Sequence, residues 1–328
     1  MTMVRPFRFA VQGTFATHKG KAGSGAEWRD LARKVEDLGY STLFVADHYL
    51  GPGPAGRAAN LPPTLLAPIA AMATAAAVTT TLRVGSRVFC VDYHVPAALV
   101  KEAATIDLLS DGRLEFGIGG GWSGPEYAAM GLEYPPAPRR IDKLVEVVAL
   151  AKAHWSGEPI EVRGEHVNVS GYRGLPLPVQ QPHPPIMIGG AKKRVLSFAA
   201  REGDIVSISS VPFVAVNEAG LTPAEELARR VGYVHDAAPE RRGVLDLEGS
   251  PNFLEITADR AEATERIAGW MKTTREVVAA HPNVLIGTAD EIAETLIERR
   301  ETYGINYISI QQAQVESFQP IAAQLTDK

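Results

Sequence analysis

The chain has a single cysteine, Cys90, which excludes an internal disulfide and a cysteine-rich metal site. Its neighbours Val88, Phe89 and Val91 read as a strand, so the thiol is expected to be buried and structural rather than reactive. No His/Cys cluster stands at metal-ligand spacing, and no Gly-x-Ser-x-Gly elbow occurs, because Ser123-Gly124 and Ser170-Gly171 lack the flanking residues. Metal-centred and serine-hydrolase chemistry therefore have no footing, and no metal is expected. An excess of either charge is also missing. A net charge of −5, from 33 Lys and Arg against 38 Asp and Glu, makes no electrostatic claim on nucleic acid or an anionic membrane. No window approaches the roughly 18 uninterrupted apolar residues of a membrane span. Met1 to Phe9 carries two arginines without the apolar core of a signal peptide, so the expected location is cytoplasmic. The expected partners are a small-molecule substrate and a second copy of the chain.

What is present is a repeating alternation. Arg8 to Phe15, Ser41 to Ala46, Leu82 to Val91, Arg113 to Ile118, Pro185 to Ile188, Asp204 to Ser209, Asn252 to Thr257 and Asn306 to Gln311 read as short apolar, β-branched strands. Helical spacing marks Glu27 to Leu38, Pro63 to Thr79, Pro96 to Leu109, Arg139 to Trp155, the stretch from the glycines at 189–190 to Arg201, Pro223 to Val234, Ala261 to Met271 and Asp290 to Tyr303. Strands that alternate with helices this regularly give a parallel sheet, and closing it into a barrel removes both edges. The fold class is thus α/β, a (β/α)8 TIM barrel, and the chain reads as a single domain over 1–328 with no repeat or linker. Pro- and Gly-rich insertions at Leu50 to Pro62, Ser123 to Pro138, Gly157 to Pro184 and Pro212 to Thr222 mostly follow strand C-terminal ends, the face where such barrels build active sites. Within the third of these, Ile160-Glu161-Val162 and His166 to Val169 around Gly164 predict a small hairpin outside the barrel.

Four places carry candidate chemistry. The second strand ends in Asp47-His48; His48 at a strand terminus is the candidate acid or base, and Asp47 is either its companion or a loop anchor. Ser86-Arg87-Val88 interrupts an apolar third strand with a cation, which must meet a carboxylate such as Glu115 or Glu102, or an anionic ligand. Arg113 to Trp122 is a strand that runs into Gly119-Gly120-Gly121, where backbone can approach a ligand that any Cβ would keep away. Gly189-Gly190-Ala191-Lys192-Lys193-Arg194 passes from strand to helix with three cations in the first turn. Free N–H groups and the positive end of the helix dipole converge there, so an anion such as phosphate would relieve the local charge. The other histidines, His94 among them, are scattered in loops or beside prolines and read as structural or solvated.

Taken together, Asp47-His48, Leu82-Arg-Val-Gly-Ser-Arg-Val, Pro96 to Arg113 leading into Phe116-Gly-Ile-Gly-Gly-Gly-Trp122, Arg140 opening a helix, Pro185-Ile-Met-Ile-Gly-Gly190 and Val284-Leu-Ile-Gly-Thr-Ala-Asp-Glu-Ile292 resemble the bacterial-luciferase-like superfamily across nearly the entire chain. Within it the sequence is most similar to the branch of oxidoreductases that use the deazaflavin coenzyme F420; flavin monooxygenases share most of these residues. The resemblance implies a flavin-type ring at the barrel mouth with its phosphate at Gly189, Gly190, Ala191 and Lys192. It implies a non-proline cis peptide near Ser86, Arg87 and Val88, where relatives carry small residues in place of Arg87. Gly120, Gly121, Trp122 and Ser123 would line the cofactor, relatives often having Asn at the last position. Arg140 joins the binding set. Lys192, Lys193 and Arg194, with Arg139 and Arg140, would form a basic track for a polyglutamate tail. His48 would donate a proton beside the ring. If the ring is FMN instead, reduced flavin comes from a partner reductase and the reaction is a monooxygenation; a relative that has lost the ring site is the non-catalytic alternative. A homodimer follows from the same resemblance. The substrate is set by the loops Leu50 to Pro62 and Pro212 to Thr222 and is not readable.

Overall fold

Eight parallel strands alternate with helices, seven of them overlapping the predicted ones, and the sheet they form closes on itself. The structure, a computed structural model, describes residues 5–13, 23–326 and 328. The barrel strands are β1 Arg8–Gly13, β2 Thr42–Val45, β3 Arg83–Ser86, β4 Leu114–Gly119, β5 Ile186–Gly190, β6 Ile205–Ile208, β7 Asp246–Gly249 and β8 Ile305–Gln311. Their hydrogen-bonded order is β3-β2-β1-β8-β7-β6-β5-β4, and β3 also pairs with β4, which makes the parallel barrel continuous. Registers such as Leu43↔Val84 and Phe116↔Ile186 align apolar residues at the same level of neighbouring strands. Val11, Leu43, Phe44, Phe116, Ile186 and Val206 are fully buried, and that apolar burial is the dominant favourable term in folding.

Contacts divide the chain into two compact units. One comprises Gln12–Asp37 and Ser41–Ile188; the other comprises Met1–Val11, Leu38–Tyr40 and Gly189–Lys328. In the first unit, the helix Pro96–Leu109 ends where Asp111 and Gly112 take positive φ, and Gly112 N–H returns to the Asp107 carbonyl. Arg113 then donates to the carbonyls of Ser110, Leu82 and Ala76 and to the Thr79 hydroxyl, fixing where β4 begins. The predicted hairpin is Pro159–Arg163 paired antiparallel with Asn168–Arg173. Its turn is tied to the helix Ala137–Trp155 by the Glu146 carboxylate, which accepts from the backbone N–H groups of Glu165, His166 and Val167. In the second unit, capping boxes at Thr222 and Thr288 start the helices Pro223–Ala237 and Ala289–Tyr303.

Three expectations are corrected. The seventh barrel strand is Asp246–Gly249, not Asn252 to Thr257, whose core Phe253–Ile256 instead pairs with Val284–Gly287 in a separate two-stranded sheet. The acids that hide β7 are compensated: Asp246 receives Arg5, Arg8 and Asn306, and Glu248 receives the Ser207 hydroxyl. The third strand is not continuous from Leu82 to Val91; it breaks at Arg87-Val88, a cis peptide, and resumes as Phe89–Cys90 beside β4. The alanine-rich helix begins at Pro68 rather than Pro63, and the preceding insertion holds a short helix, Pro54–Ala59. At the first strand, Thr14 and Phe15 lie outside the described residues.

Candidate active site

β2 ends at Val45, and the next residues leave the sheet, so Asp47 and His48 escape the alternation that would send neighbours to opposite faces. Asp47 is 3% exposed; its Oδ2 accepts from the Cys90 backbone N–H at 2.9 Å and lies 2.9 Å from His94 Nε2. The carboxylate thus ties the end of β2 to the strand Phe89–Cys90, the anchoring role that the sequence left open for it. His94, set aside in the sequence, owes its place to this pair; no local signal points to it.

His48 Nδ1 lies 2.7 Å from Oε2 of Glu126, a carboxylate with no solvent exposure. The other oxygen of Glu126 accepts from the Tyr49 N–H at 2.8 Å. Burial pushes the Glu126 carboxyl upward, but the hydrogen bonds from His48 and Tyr49 outweigh it and the net displacement is downward. An ionised Glu126 holds the proton of His48 on Nδ1, which leaves Nε2 as the ring nitrogen able to accept. Glu126 sits in the first turn of the helix Gly124–Ala129, which Pro125 helps to start. An acid there reads from sequence as an ordinary dipole partner, which is why it went unnoticed. Trp122, 60% exposed, stands edge-on to His48 at 6.1 Å.

The glycine-rich end of β4 is held from below. Arg140 donates to the carbonyls of Gly120 at 3.0 Å and Pro135 at 2.7 Å, and its guanidinium lies 4.2 Å over the Tyr134 ring. It is buried, so its donors shape the loop rather than extend a surface track. Gly121 has φ +71, and a Cβ there would fall 2.1 Å from the Tyr127 hydroxyl and 2.7 Å from Cys90 Sγ. Tyr127 donates to Asp92 at 2.8 Å, and Asp92 pairs with Lys143 at 2.8 Å. Burial pushes the Cys90 thiol up to about 11, so it is protonated at neutral pH and inert, as expected. On the β3 side, the Ser86 hydroxyl donates to the Gly117 carbonyl at 2.6 Å, with Arg87 and Val88 half-buried after it. Arg83 Nε comes within 3.9 Å of Glu115.

In the other unit, β5 runs through Gly189 and Gly190, and the helix Lys193–Glu202 follows Ala191 with Lys192 as its N-cap. No side chain caps this N-terminus, and Lys192, Lys193 and Arg194 are exposed. The donor set, helix-start N–H groups that no side chain caps together with exposed cations, is one that a phosphate satisfies. Among the buried polar atoms that lack a partner among the described residues are, in the first unit, the Ser123 hydroxyl, Asp47 Oδ1 and both ends of the Gln12 amide near the C-terminal end of β1. Such orphaned groups fit a polar ring ligand that would complete their hydrogen bonds. No group of His, Cys, Asp and Glu among the described residues could hold a metal ion.

The profile of the family described as luciferase-like monooxygenase matches residues 6–233. An uncharacterised protein of Mycobacterium tuberculosis is 33% identical over 184 residues, 53% of this chain and 64% of that one. An F420-dependent glucose-6-phosphate dehydrogenase of Amycolatopsis mediterranei is 29% identical over 180 residues (54% and 52% of the two chains), and an FMNH2-dependent dimethylsulfone monooxygenase of Pseudomonas putida is 26% identical over 224 residues (62% of each). The chain thus spans less than two thirds of the length of these curated relatives. A solved F420-dependent secondary alcohol dehydrogenase superposes with a TM-score of 0.76 over 98% of both chains at 16% identity, a likeness of fold alone.

Proposed function

Because the chain belongs to the luciferase-like monooxygenase family, we propose that it is an oxidoreductase that moves a hydride between coenzyme F420 and a small organic substrate, with His48 carrying the accompanying proton. The observation that carries this reading is the pairing of His48 Nδ1 with buried Glu126, which orients one ring nitrogen and sets its tautomer as acid–base work requires. Gly189, Gly190, Ala191 and Lys192 would hold the phosphate of the coenzyme. Ser86, Arg87, Val88, Gly120, Gly121, Trp122 and Ser123 would surround its ring, with Arg140 and Tyr127 bracing the glycines. When bound, the deazaflavin supplies a ring carbon that takes up or gives back a hydride. The protein then has two tasks: to bring the substrate to that face and to move one proton at His48 Nε2. Neutral His48 accepts a proton from a substrate being oxidised, and Glu126 stabilises the imidazolium that results.

The similarity to the FMNH2-dependent dimethylsulfone monooxygenase favours a second reading, an FMN-dependent monooxygenase supplied by a separate reductase and built on the same residues. The chain is read as one cytoplasmic domain that acts as a homodimer. Titration of the purified protein with oxidised F420 and, separately, FMN, followed by protein fluorescence, tests the choice. Binding of F420 in preference to FMN supports hydride transfer, and the reverse preference supports the monooxygenase. Binding of neither supports a relative without a cofactor. His48→Ala is expected to lower turnover while leaving coenzyme affinity in place.

A further inference from the structure

We infer that His94 is a positioning residue for His48, acting through Asp47, an inference that rests on the proton role given to His48 above. The residues involved all lie in the first unit, within Ser41–Ile188. His94 stands on a short, fixed path. The Tyr93 N–H returns to the Cys90 carbonyl at 3.1 Å, and Pro96, two residues after His94, opens the helix Pro96–Leu109. The imidazole meets the Phe89 ring edge-on at 5.3 Å, and its Nε2 lies 2.9 Å from Asp47 Oδ2. Facing a carboxylate, which only accepts, Nε2 carries the proton and donates.

The same Oδ2 takes the Cys90 N–H at 2.9 Å. The Asp47 side chain has no solvent exposure and that of His94 has 11%, so these donors do for the carboxylate what water does for an exposed one. Removing one partner of a buried pair leaves the other uncompensated, and the remaining group shifts towards water or another donor. Asp47 cannot shift by itself. His48 is the next residue, and on the other side Cys90 stands opposite Gly119, with the Val91 N–H on the Gly119 carbonyl at 3.1 Å. The pair thus sets both the segment that carries His48 and the strand that borders the glycines. His48 Nδ1 reaches Glu126 at 2.7 Å from that segment. A hydrogen bond weakens steeply as its geometry departs from the favourable range, so a displaced Asp47 loosens this contact and with it the tautomer that leaves Nε2 able to accept.

Nitrogen-15 correlation NMR of the imidazoles tests this on the protein without coenzyme, the His48 signals being assigned by their loss in His48→Ala. His94→Leu removes the donor to Asp47, and His94→Gln sets an amide N–H near the place of Nε2. The parent is expected to show His48 protonated on Nδ1. In His94→Leu that proton is expected to exchange with water about tenfold faster or more, or to be shared between the two nitrogens, and His94→Gln is expected to restore the parent signal. Combining His94→Leu with Asp47→Asn is expected to change the His48 signal no more than Asp47→Asn does by itself, because the route runs through Asp47. A purely structural His94 would lower the melting temperature and leave the His48 signal as in the parent, which overturns the inference. A signal in His94→Gln as altered as in His94→Leu, or additive changes in the double variant, also overturns it. If His94→Leu does not fold, His94→Asn takes its place, since its amide nitrogen reaches only the level of Nδ1. Fluorescence titration with F420 separates the two readings. A parent that fails to bind F420 while its His48 signal responds as expected removes the proposed function and leaves His94 as the residue that positions His48. F420 binding with an unresponsive His48 signal removes the inference and leaves the function.

Discussion

Replacing Glu126 by Gln isolates the charge of the His48 partner from its shape. Glutamine keeps an oxygen for the Tyr49 N–H that Glu126 holds at 2.8 Å, so the backbone after His48 stays anchored. On the other side, where the carboxylate meets Nδ1 at 2.7 Å, the variant presents an amide NH2. That group donates, so Nδ1 must accept, the ring proton moves to Nε2, and neutral His48 can no longer take a proton from a substrate. Hydrogen bonds to charged groups are worth about 1.5–3 kcal/mol, which converts to a turnover loss of roughly 10- to 150-fold at 1.36 kcal/mol per factor of ten. The assay is stopped-flow hydride transfer followed by coenzyme absorbance between pH 5 and 9, with coenzyme affinity measured separately by fluorescence. The expected result is a kcat loss in that range with coenzyme affinity and KM within about twofold of the parent. Turnover within twofold of the parent would refute the argument. Stability carries an independent mark. Because the folded Glu126 carboxyl lies below its unfolded value, its pairing contributes above about pH 4.3 and is lost as pH falls through the folded value. In Glu126→Gln that part of the acid limb disappears.

Gly121→Ala is expected to destabilise the fold by about 2–3 kcal/mol in urea unfolding, since it combines a positive φ with a Cβ 2.1 Å from the Tyr127 hydroxyl. Adding Tyr127→Phe, which removes that oxygen, is expected to recover about 1 kcal/mol and leave the φ penalty and the Cys90 contact. Glu36 accepts from the N–H groups of Thr80, Thr81 and Leu82; burial pushes its carboxyl up, but these bonds prevail and lower it to about 2. Its contribution is full above the unfolded value near 4.3 and fades as pH falls towards 2, so Glu36→Gln, checked by urea melts at pH 3 and pH 7, should cost about 1 kcal/mol at pH 7 after allowance for solvent screening and roughly half of that at pH 3. Lys192→Ala is expected to weaken coenzyme binding by about five- to tenfold in fluorescence titration, with turnover at saturation unchanged.

Where the sequence was legible, each residue announced its environment within its own segment. Strands β1, β2, β4 to β6 and β8 are short, largely apolar runs, which is the mark of a buried parallel strand. His48 is legible for a related reason: it follows the last residue of an apolar strand, and the barrel topology turns that position into a place at the active face. Residues whose meaning is a partner far along the chain gave no such signal. β7 reads Asp-Leu-Glu-Gly, and nothing nearby shows that Arg5, Arg8 and Asn306 answer Asp246 or that Ser207 answers Glu248. The more apolar Phe253–Ile256 was therefore the natural but mistaken choice. Glu126 stands 78 residues from His48, and His94 stands 47 from Asp47. Each pair consists of an acid and an imidazole that are unremarkable alone. The two carboxylates also differ in what they hold: Asp47 accepts from the Cys90 backbone and from a histidine that the candidate chemistry does not use, whereas Glu126 grips the histidine that it does use. The adjacency of Asp47 and His48 in sequence thus joins residues with different tasks, while the acid that acts on His48 comes from a helix one insertion later. The proposed proton chemistry of His48 depends on that insertion, Ser123 to Pro138, as much as on the strand end.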